Sequence, residues 1–208
     1  MRVTRQEEPA DRSFTATARR AQIVAATIET IAELGYAQTS FARIAERAGL
    51  SSTRLISYHF AGKRELIEQV LSELYTEIGE FMAARLAGRT SARDLLLGYI
   101  EGNVEFIAGH RAQMKALLGI FLAGDLDYDP KSSELVVLDP VERILRQGQE
   151  SGEFRDFDTR VVAASVRRSV DGIPMLLEAH PELDLDGCAA ELCTLYDLAT
   201  RNDPGGTT

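Results

Sequence analysis

Apolar residues recur every three or four positions along most of the chain, which is the spacing of one face of an α-helix. In the first third of the chain this pattern predicts helices over residues 19–34, 41–48 and about 52–58. A long amphipathic segment then runs from about residue 63 to residue 86. No alternating apolar and polar stretch of useful strand length is found, and no internal repeat. The pattern therefore predicts an all-α protein.

The rest of the chain continues the helical pattern between breaks at glycine, proline and polar clusters. Further helices are predicted over residues 95–107, 114–122, 135–149, 159–178 and 186–200, about nine in total. Pro140 is expected near the start of one helix or at a kink, and Pro174 at a kink in another. The acidic, turn-rich stretch 124–133 is expected to form an exposed loop.

Composition adds little to this picture, but the distribution of charge does. Hydrophobic residues make up 45% of the chain and charged residues 26%, as in an ordinary soluble globular protein. The net charge of −9 hides a net of +2 over residues 1–70 and −11 over residues 71–208. A mildly basic N-terminal segment followed by an acidic remainder is typical of a protein in which only the N-terminal segment binds phosphates. Without a long apolar run or an apolar signal region, we expect a cytoplasmic protein without membrane contact.

Residues that could support catalysis or metal binding are sparse. Cys188 and Cys193 match neither a redox pair nor a zinc site, and the histidines at 59, 110 and 180 lack the spacing of metal ligands. We expect two core thiols, no metal and no cofactor. No nucleophile with its base, paired acids or metal set can be identified, so an enzyme is not expected.

Two short predicted helices joined by the sequence AGLS at 48–51 form the helix-turn-helix pattern. Gly49 permits the tight turn, and Ile44 packs the first helix. Either Leu55 or Ile56 anchors the second helix. Because the second helix of such a motif enters the major groove, the pattern predicts an element that reads DNA.

Polar residues mark the start of both helices of the motif. Thr39 or Ser40 is expected to cap the first helix, and Ser51 or Ser52 the second. Arg54, near the start of the second helix, is long enough to reach O6 and N7 of guanine.

The stretch 35–67, GYAQTSFARIAERAGLSSTRLISYHFAGKRELI, resembles the TetR family of bacterial regulators. It carries the family's Gly-Tyr-x-x-Thr-Ser entry, its Ile-Ala-x-x-Ala-Gly-Leu-Ser turn and its Tyr-His-Phe-x-x-Lys-x-x-Leu exit. The stretch 144–158, ILRQGQESGEFRDFD, is similar to the family's Gly-x-x-x-Gly-x-Phe-Arg joint before the last two helices.

The resemblance implies a DNA interface in the N-terminal head. Thr39 would cap the second helix and touch a phosphate, Tyr58 and His59 would lie against the DNA backbone, and Lys63 would bind a phosphate. The complete set of implied DNA contacts is Thr39, Ser40, Arg43, Ser52, Thr53, Arg54, Ser57, Tyr58, His59 and Lys63. The segment between the turn and Phe60 is one residue longer than the family's commonest spacing, so either Thr53 or Arg54 could be the base-reading residue.

The resemblance also implies a homodimer and a domain order. Residues 1–14 would be a disordered arm, 15–64 the DNA-binding head, 65–201 the effector and dimerisation domain, and 202–208 a disordered tail. Apolar stripes on the last two helices could pack against the same helices of a second protomer in a four-helix interface, or they could face only the chain's own core. The interface candidates are Val162, Val166, Ser169, Ile173, Leu192 and Leu195.

Large apolar side chains on the middle helices could line a cavity for a small-molecule effector, although such residues also serve as ordinary core. The candidates are Tyr99, Phe106, Met114, Leu118 and Phe121. We therefore expect a repressor that binds a palindromic operator as a dimer and is released by a small, largely apolar effector. The alternative is a helical dimer that binds a small molecule or a protein but not DNA.

Overall fold

The computed structural model describes the backbone of residues 9–124 and 130–202, and the side chains of residues 16–124 and 137–202. Within these ranges the chain forms ten α-helices and one 3₁₀ turn, Tyr36–Gln38. The helices are α1 Pro9–Leu34, α2 Phe41–Arg47, α3 Arg54–His59, α4 Lys63–Leu86, α5 Ala92–Gly109, α6 Arg111–Ala123, α7 Pro130–Ser151, α8 Thr159–Asp171, α9 Ile173–Ala179 and α10 Leu185–Thr200.

The all-α prediction is confirmed. The β-type pairing in the described residues is an isolated bridge between Phe154 and Arg201. The helix predicted over residues 159–178 is divided at Gly172 into α8 and α9, which accounts for ten helices where about nine were expected. The kink expected at Pro174 is thus a break between helices, because Pro174 lies in the first turn of α9, where its missing N–H costs no hydrogen bond.

α1 and α7 start well before the residues that the apolar pattern indicated. α1 begins at Pro9, so residues 9–14 are helical rather than part of a disordered arm, while residues 1–8 lie outside the described part. α7 begins at Pro130, which shortens the loop expected over residues 124–133. Both helices start with proline, a residue favoured at the first helical position. Pro140 lies inside α7, and the tail from residue 203 is outside the described residues.

The first compact unit combines Met1–Tyr75 with Ala112–Leu126. Ile23, Ile44 and Phe60 form its centre and are almost completely buried. Burying side chains of this size contributes roughly 1.5–3 kcal/mol each. Ala116 and Ile120 of α6 belong to the same core, so this unit extends beyond the head expected at residues 15–64.

The second compact unit combines Thr76–Arg111 with Asp127–Thr208. Its core is formed by apolar faces of α5, α7, α8 and α10, with Ile100, Leu145 and Val166 fully buried. The joint between α7 and α8 is held by Phe154, whose ring lies directly against Gly148. A Cβ at Gly148 would be 2.0 Å from Cδ2 of that ring, so glycine is required there.

The same joint also holds the neighbouring helices of the second unit. The Glu153 carboxylate accepts the main-chain N–H groups of Ala92 and Arg93 at the start of α5. Arg155 Nε donates to the carbonyl oxygen of Ala199 in α10, at 2.8 Å. The Gly-x-x-x-Gly-x-Phe-Arg sequence is therefore a structural joint between α7 and α8 that also binds α5 and α10.

Candidate nucleic-acid interface

α2 and α3 form a helix-turn-helix in which Gly49 makes the turn. Gly49 has φ +62°, a left-handed conformation that other residues rarely adopt. The N–H of Leu50 donates to the carbonyl oxygen of Ala45 at 2.8 Å and closes the turn. Ser40 caps α2, since its hydroxyl accepts the N–H of Arg43.

Thr39 is only 4% exposed, and its hydroxyl donates to the carbonyl oxygen of Gly35 at 2.9 Å. The expected capping role of Thr39 is therefore wrong, because Ser40 caps α2. The difference arises from the 3₁₀ turn before α2, which directs Thr39 back towards Gly35.

The exposed face of α3 brings several expected DNA contacts together. α3 begins at Arg54, and the Ser52 hydroxyl accepts the N–H of Arg54 at 3.1 Å. Ser51 is not the cap, and Thr53, which precedes the helix, makes no side-chain capping bond. Ser52, Thr53, Arg54, Ser57 and Tyr58 are all exposed, and Tyr58 is 80% exposed.

Ile56 anchors α3, which resolves the choice between Leu55 and Ile56. Ile56 is completely buried in the core of the first unit. Leu55, one residue earlier, is 37% exposed and lies between the buried Ile56 and the exposed Tyr58 around the helix axis. The exposed face of α3 thus contains one aliphatic side chain among hydrogen-bonding ones.

Lys63, at the start of α4, is held against the 3₁₀ turn. Its Nζ donates to the carbonyl oxygen of Tyr36 at 3.1 Å and lies 4.0 Å from the centre of the Tyr36 ring. A cation over an aromatic ring is attracted to the ring face. The Lys63 ammonium has three donors, so this position leaves donors for a phosphate oxygen.

His59, the last residue of α3, is half-buried and lies edge-on to Tyr58, with ring centres 5.1 Å apart. Burial of the ring lowers the pKa of His59 below its ordinary value, and the positive charges of Arg20 and Arg19 lower it further. The lowered pKa favours the uncharged form of the His59 imidazole.

Arg20 makes contacts with the end of α3 that the sequence patterns did not indicate. Its Nη1 donates to the carbonyl oxygen of His59, and its Nη2 donates to Gln69 Oε1 at 3.2 Å. Its guanidinium carbon lies 4.3 Å from the centre of the Phe60 ring. Arg20 thereby connects α1, the end of α3 and α4, over 39 and 49 positions of sequence that no local pattern could reveal.

Arg43 is exposed on α2, beside a cleft of about 380 Å³ on the first unit. The cleft is lined by Thr30, Glu33, Leu34, Arg43, Glu46 and Arg47. Arg47 is paired with Glu33 and Glu29 of α1, which fixes α2 against α1.

The effector candidates are divided between the two units. Tyr99 and Phe106 are buried in the second unit, where Phe106 stacks on His110 with ring centres 3.9 Å apart. The Tyr99 hydroxyl accepts a hydrogen bond from Arg167 at 3.1 Å. Met114, Leu118 and Phe121 are in the first unit: Met114 is buried, Leu118 is half-buried and Phe121 is 46% exposed. Phe121 is therefore not an enclosed pocket residue in this conformation.

The dimer candidates do not share one exposed face. Val166 and Ile173 are buried in the chain's own core, so for these two the core interpretation is correct. Val162 and Leu192 are partly buried. The Ser169 hydroxyl is engaged with the Tyr196 hydroxyl at 2.7 Å. Leu195, in contrast, is 55% exposed.

Five large apolar side chains are exposed on α8, α9 and α10. These side chains, hereafter the C-terminal apolar surface, are Val161, Met175, Leu176, Leu195 and Leu198. Of these five residues, only Leu195 is among the interface candidates from the sequence, because an apolar stripe does not show which of its members the chain's own core covers.

Other chemistry is limited in the part of the chain that the structure describes. No group of three or more His, Cys, Asp or Glu side chains there is arranged to hold a metal ion. Cys188 and Cys193 are free thiols, and burial raises the pKa of Cys193 to about 11. No helix within the described ranges is long and apolar enough to cross a membrane.

Residues 23–70, which include the helix-turn-helix, match the family model of bacterial regulatory proteins of the tetR family. The regulator BetI 1 of Chromohalobacter salexigens is 36% identical over 104 residues, which are 50% of this chain and 51% of that protein. The regulator BetI of Cronobacter sakazakii is 29% identical over 162 residues, covering 77% of this chain and 76% of that protein. The chain thus spans about half the length of the first of these relatives and three quarters of the second.

Structural similarity to solved proteins covers most of the chain, well beyond the residues that match in sequence. A regulator from Saccharomonospora viridis, solved in complex with choline, has a TM-score of 0.77 and 21% sequence identity. The match covers 90% of this chain and 100% of that one. At this identity the likeness concerns the fold, and it includes α4 to α10, where the sequence motifs are sparse.

Proposed function

Because the chain belongs to the TetR family of bacterial regulatory proteins, we propose that it represses transcription by binding a palindromic operator as a dimer. The observation that carries the proposal is the exposed face of α3, with Arg54, Ser57 and Tyr58 exposed around the buried anchor Ile56. This is the arrangement by which a helix-turn-helix presents side chains to the major groove. Such a protein binds DNA in the cytoplasm and is a regulator, not an enzyme.

In the proposed complex, α3 lies in the major groove and the side chains around it hold the DNA backbone. Arg54 contacts a guanine, since its guanidinium can pair with O6 and N7. Lys63, His59 and Tyr58 face phosphates, which set the position of the head on the duplex. Lys63 is already held in place by Tyr36, which reduces the ordering cost of the contact.

We assign the dimer contact to the C-terminal apolar surface. Exposed Val161, Leu195 and Leu198 leave apolar area in water on α8 and α10, and a second copy of the same surface would cover it. A two-fold dimer presents two α3 helices to two half-sites, one helical turn or more apart. Val166 and Ile173 support this surface from the core without touching the partner.

The effector is proposed to be a small, largely apolar molecule that binds in the second unit near Tyr99 and Phe106. The two buried aromatic side chains of α5 support the apolar character of the site, and the structural neighbour that holds choline supports only the binding of a small molecule. The effector releases the operator only if it prefers the conformation that does not bind DNA. A coupling of about 1–3 kcal/mol, or five- to 150-fold in affinity, is typical.

The test is a fluorescence-anisotropy titration with a labelled duplex from the region beside the chain's own gene. We expect binding that is saturable, dimeric in stoichiometry and weakened by salt. If the protein binds no duplex with higher affinity than random DNA, the alternative of a helical dimer without operator binding is supported. For the effector, a thermal-shift screen with and without the duplex is decisive, because equal affinity in both states cannot shift the equilibrium.

A further inference from the structure

Leu55 is an aliphatic side chain on the exposed face of α3. It is 37% exposed, although the adjacent Ile56 is completely buried and already supplies the hydrophobic anchor of the helix. The other exposed residues of α3, among them Arg54 and Tyr58, carry hydrogen-bonding groups. Leu55 therefore presents apolar surface at the edge of a face that is otherwise suited to polar partners, beside Tyr58.

The major groove offers one kind of apolar group to such a side chain. Guanine, cytosine and adenine present hydrogen-bond donors and acceptors there, whereas thymine also presents its C5-methyl group. A leucine side chain has no donor or acceptor and cannot read the polar edges. An aliphatic side chain on this face is complementary to a thymine methyl.

We propose that Leu55 is a specificity-determining residue that packs on the C5-methyl group of a thymine in each operator half-site. The inference rests on the proposed binding of DNA through α3. Consecutive helical residues are about 100° apart around the axis and 1.5 Å apart along it, so Arg54 and Leu55 contact bases within one short stretch of the half-site. The operator half-site thus carries a thymine at a fixed, short distance from the guanine that Arg54 reads.

The experiment begins with duplexes that the full-length protein selects from a random library. In the tightest duplex, each thymine is replaced in turn by deoxyuridine at symmetric positions of both half-sites, which removes only the methyl group. We expect one thymine position at which affinity falls by about fourfold per half-site, the loss that corresponds to one buried methyl-sized group. Replacement at the remaining positions leaves affinity within twofold.

Variants of Leu55 then assign that effect to one side chain. Leu55→Ala binds the thymine and deoxyuridine duplexes with equal affinity, whereas Leu55→Met, which keeps an aliphatic chain of similar length, retains the discrimination. The matched control is Leu122→Ala, at an exposed leucine of α6 in the same unit, which keeps the full discrimination. Comparing the two duplexes within each variant forms a double-mutant cycle, so a general loss of stability in a variant cancels.

The outcomes separate the two levels of the proposal. If no duplex is enriched by selection, DNA binding itself is refuted. If duplexes are enriched but deoxyuridine is tolerated at every position, or Leu55→Ala still discriminates thymine from deoxyuridine, the assignment of Leu55 is overturned while DNA binding stands.

Discussion

The guanidinium carbon of Arg20 lies 4.3 Å from the centre of the Phe60 ring. From this position Arg20 also donates to the carbonyl oxygen of His59, one of the terminal carbonyls of α3 that no helical N–H can satisfy. Phe60 is buried in the core of the head, so the contact fixes the end of α3 relative to α1. Arg20 is thus a positioning residue for α3, the helix proposed to contact DNA.

Arg20→Ala is expected to destabilise the protein by about 1–3 kcal/mol, since it removes a charged hydrogen bond and a cation–π contact. DNA affinity should fall by a similar factor for all sequences, because α3 loses its fixed orientation but keeps its base-reading side chains. Urea unfolding and binding to selected and random duplexes measure both effects. Arg19→Ala is the matched control: its Nη1 bonds Gln22 within the same helix, so unfolding should change by less than about 0.5 kcal/mol.

We expect His59 to make the stability of the first unit depend on pH. Its pKa is lowered, by burial first and then by Arg20 and Arg19, from an ordinary value of 6.5. The unfolded chain therefore binds this proton more readily than the folded chain does. The stability contribution is complete above pH 6.5 and is lost as the pH falls from there through the folded pKa. Melting temperatures from pH 8 to pH 5 should fall less steeply for His59→Gln, which keeps the other two histidines; parallel curves for the two proteins would contradict this assignment.

The helix-turn-helix could be predicted from the sequence because its determinants are local. The conformation of Gly49, the burial of Ile44 and the exposure of Arg54 all follow from spacings within 12 residues. The contacts of Arg20 with His59 and Phe60 join residues about 40 positions apart in the sequence. The spacing of apolar residues within a helix does not predict contacts between residues that far apart.

Which face of a C-terminal helix is exposed could not be predicted either. Val166 and Leu195 both occupied regular apolar stripes, yet one is buried and the other exposed. The stripe of an amphipathic helix shows that a face is apolar, but not whether it is covered by the same chain or by another.

Gly148→Ala should destabilise the second unit although alanine favours helix formation. The new Cβ would lie 2.0 Å from Cδ2 of the buried Phe154 ring, and overpacking of this kind costs about 1–3 kcal/mol. Gly79→Ala is the control, because Gly79 is a helical glycine with no atom within 4 Å of the added Cβ, and it should stabilise by about 0.5–1 kcal/mol. Phe154→Leu should relieve part of the cost in a double variant. Equal melting temperatures for Gly148→Ala and Gly79→Ala would show that the joint adapts freely.

Leu195→Asp should convert the protein into a folded monomer with weakened operator binding. A charge on the C-terminal apolar surface would be buried without a partner in the dimer but remains hydrated in the monomer. Sedimentation at micromolar concentration distinguishes the species. Ala190→Asp, on an exposed position of the same helix away from Leu195, should remain dimeric. Val166→Asp should unfold the chain, because Val166 is completely buried. A dimeric Leu195→Asp would place the interface elsewhere.

Substitution by alanine should change DNA affinity differently at Arg54 and at Lys63, because Tyr36 fixes the Lys63 side chain while Arg54 is exposed. Lys63 is fixed by the Tyr36 carbonyl and ring beside α3, where it can meet a phosphate of any sequence. Lys63→Ala should therefore weaken binding to all duplexes alike and reduce the salt slope by about one per half-site.

Arg54 is exposed at the first turn of α3, on the same face as Tyr58, and its side chain is aimed away from the core. Arg54→Ala should cost about 1–3 kcal/mol at one base pair and relax the preference there, with little change in affinity for random DNA. The measurement is a competition series in which each base pair of the selected half-site is varied in turn. Uniform weakening by Arg54→Ala would make Arg54 a phosphate contact. Base reading would then pass to Thr53, whose hydroxyl makes no capping bond to α3 and is available to a base edge.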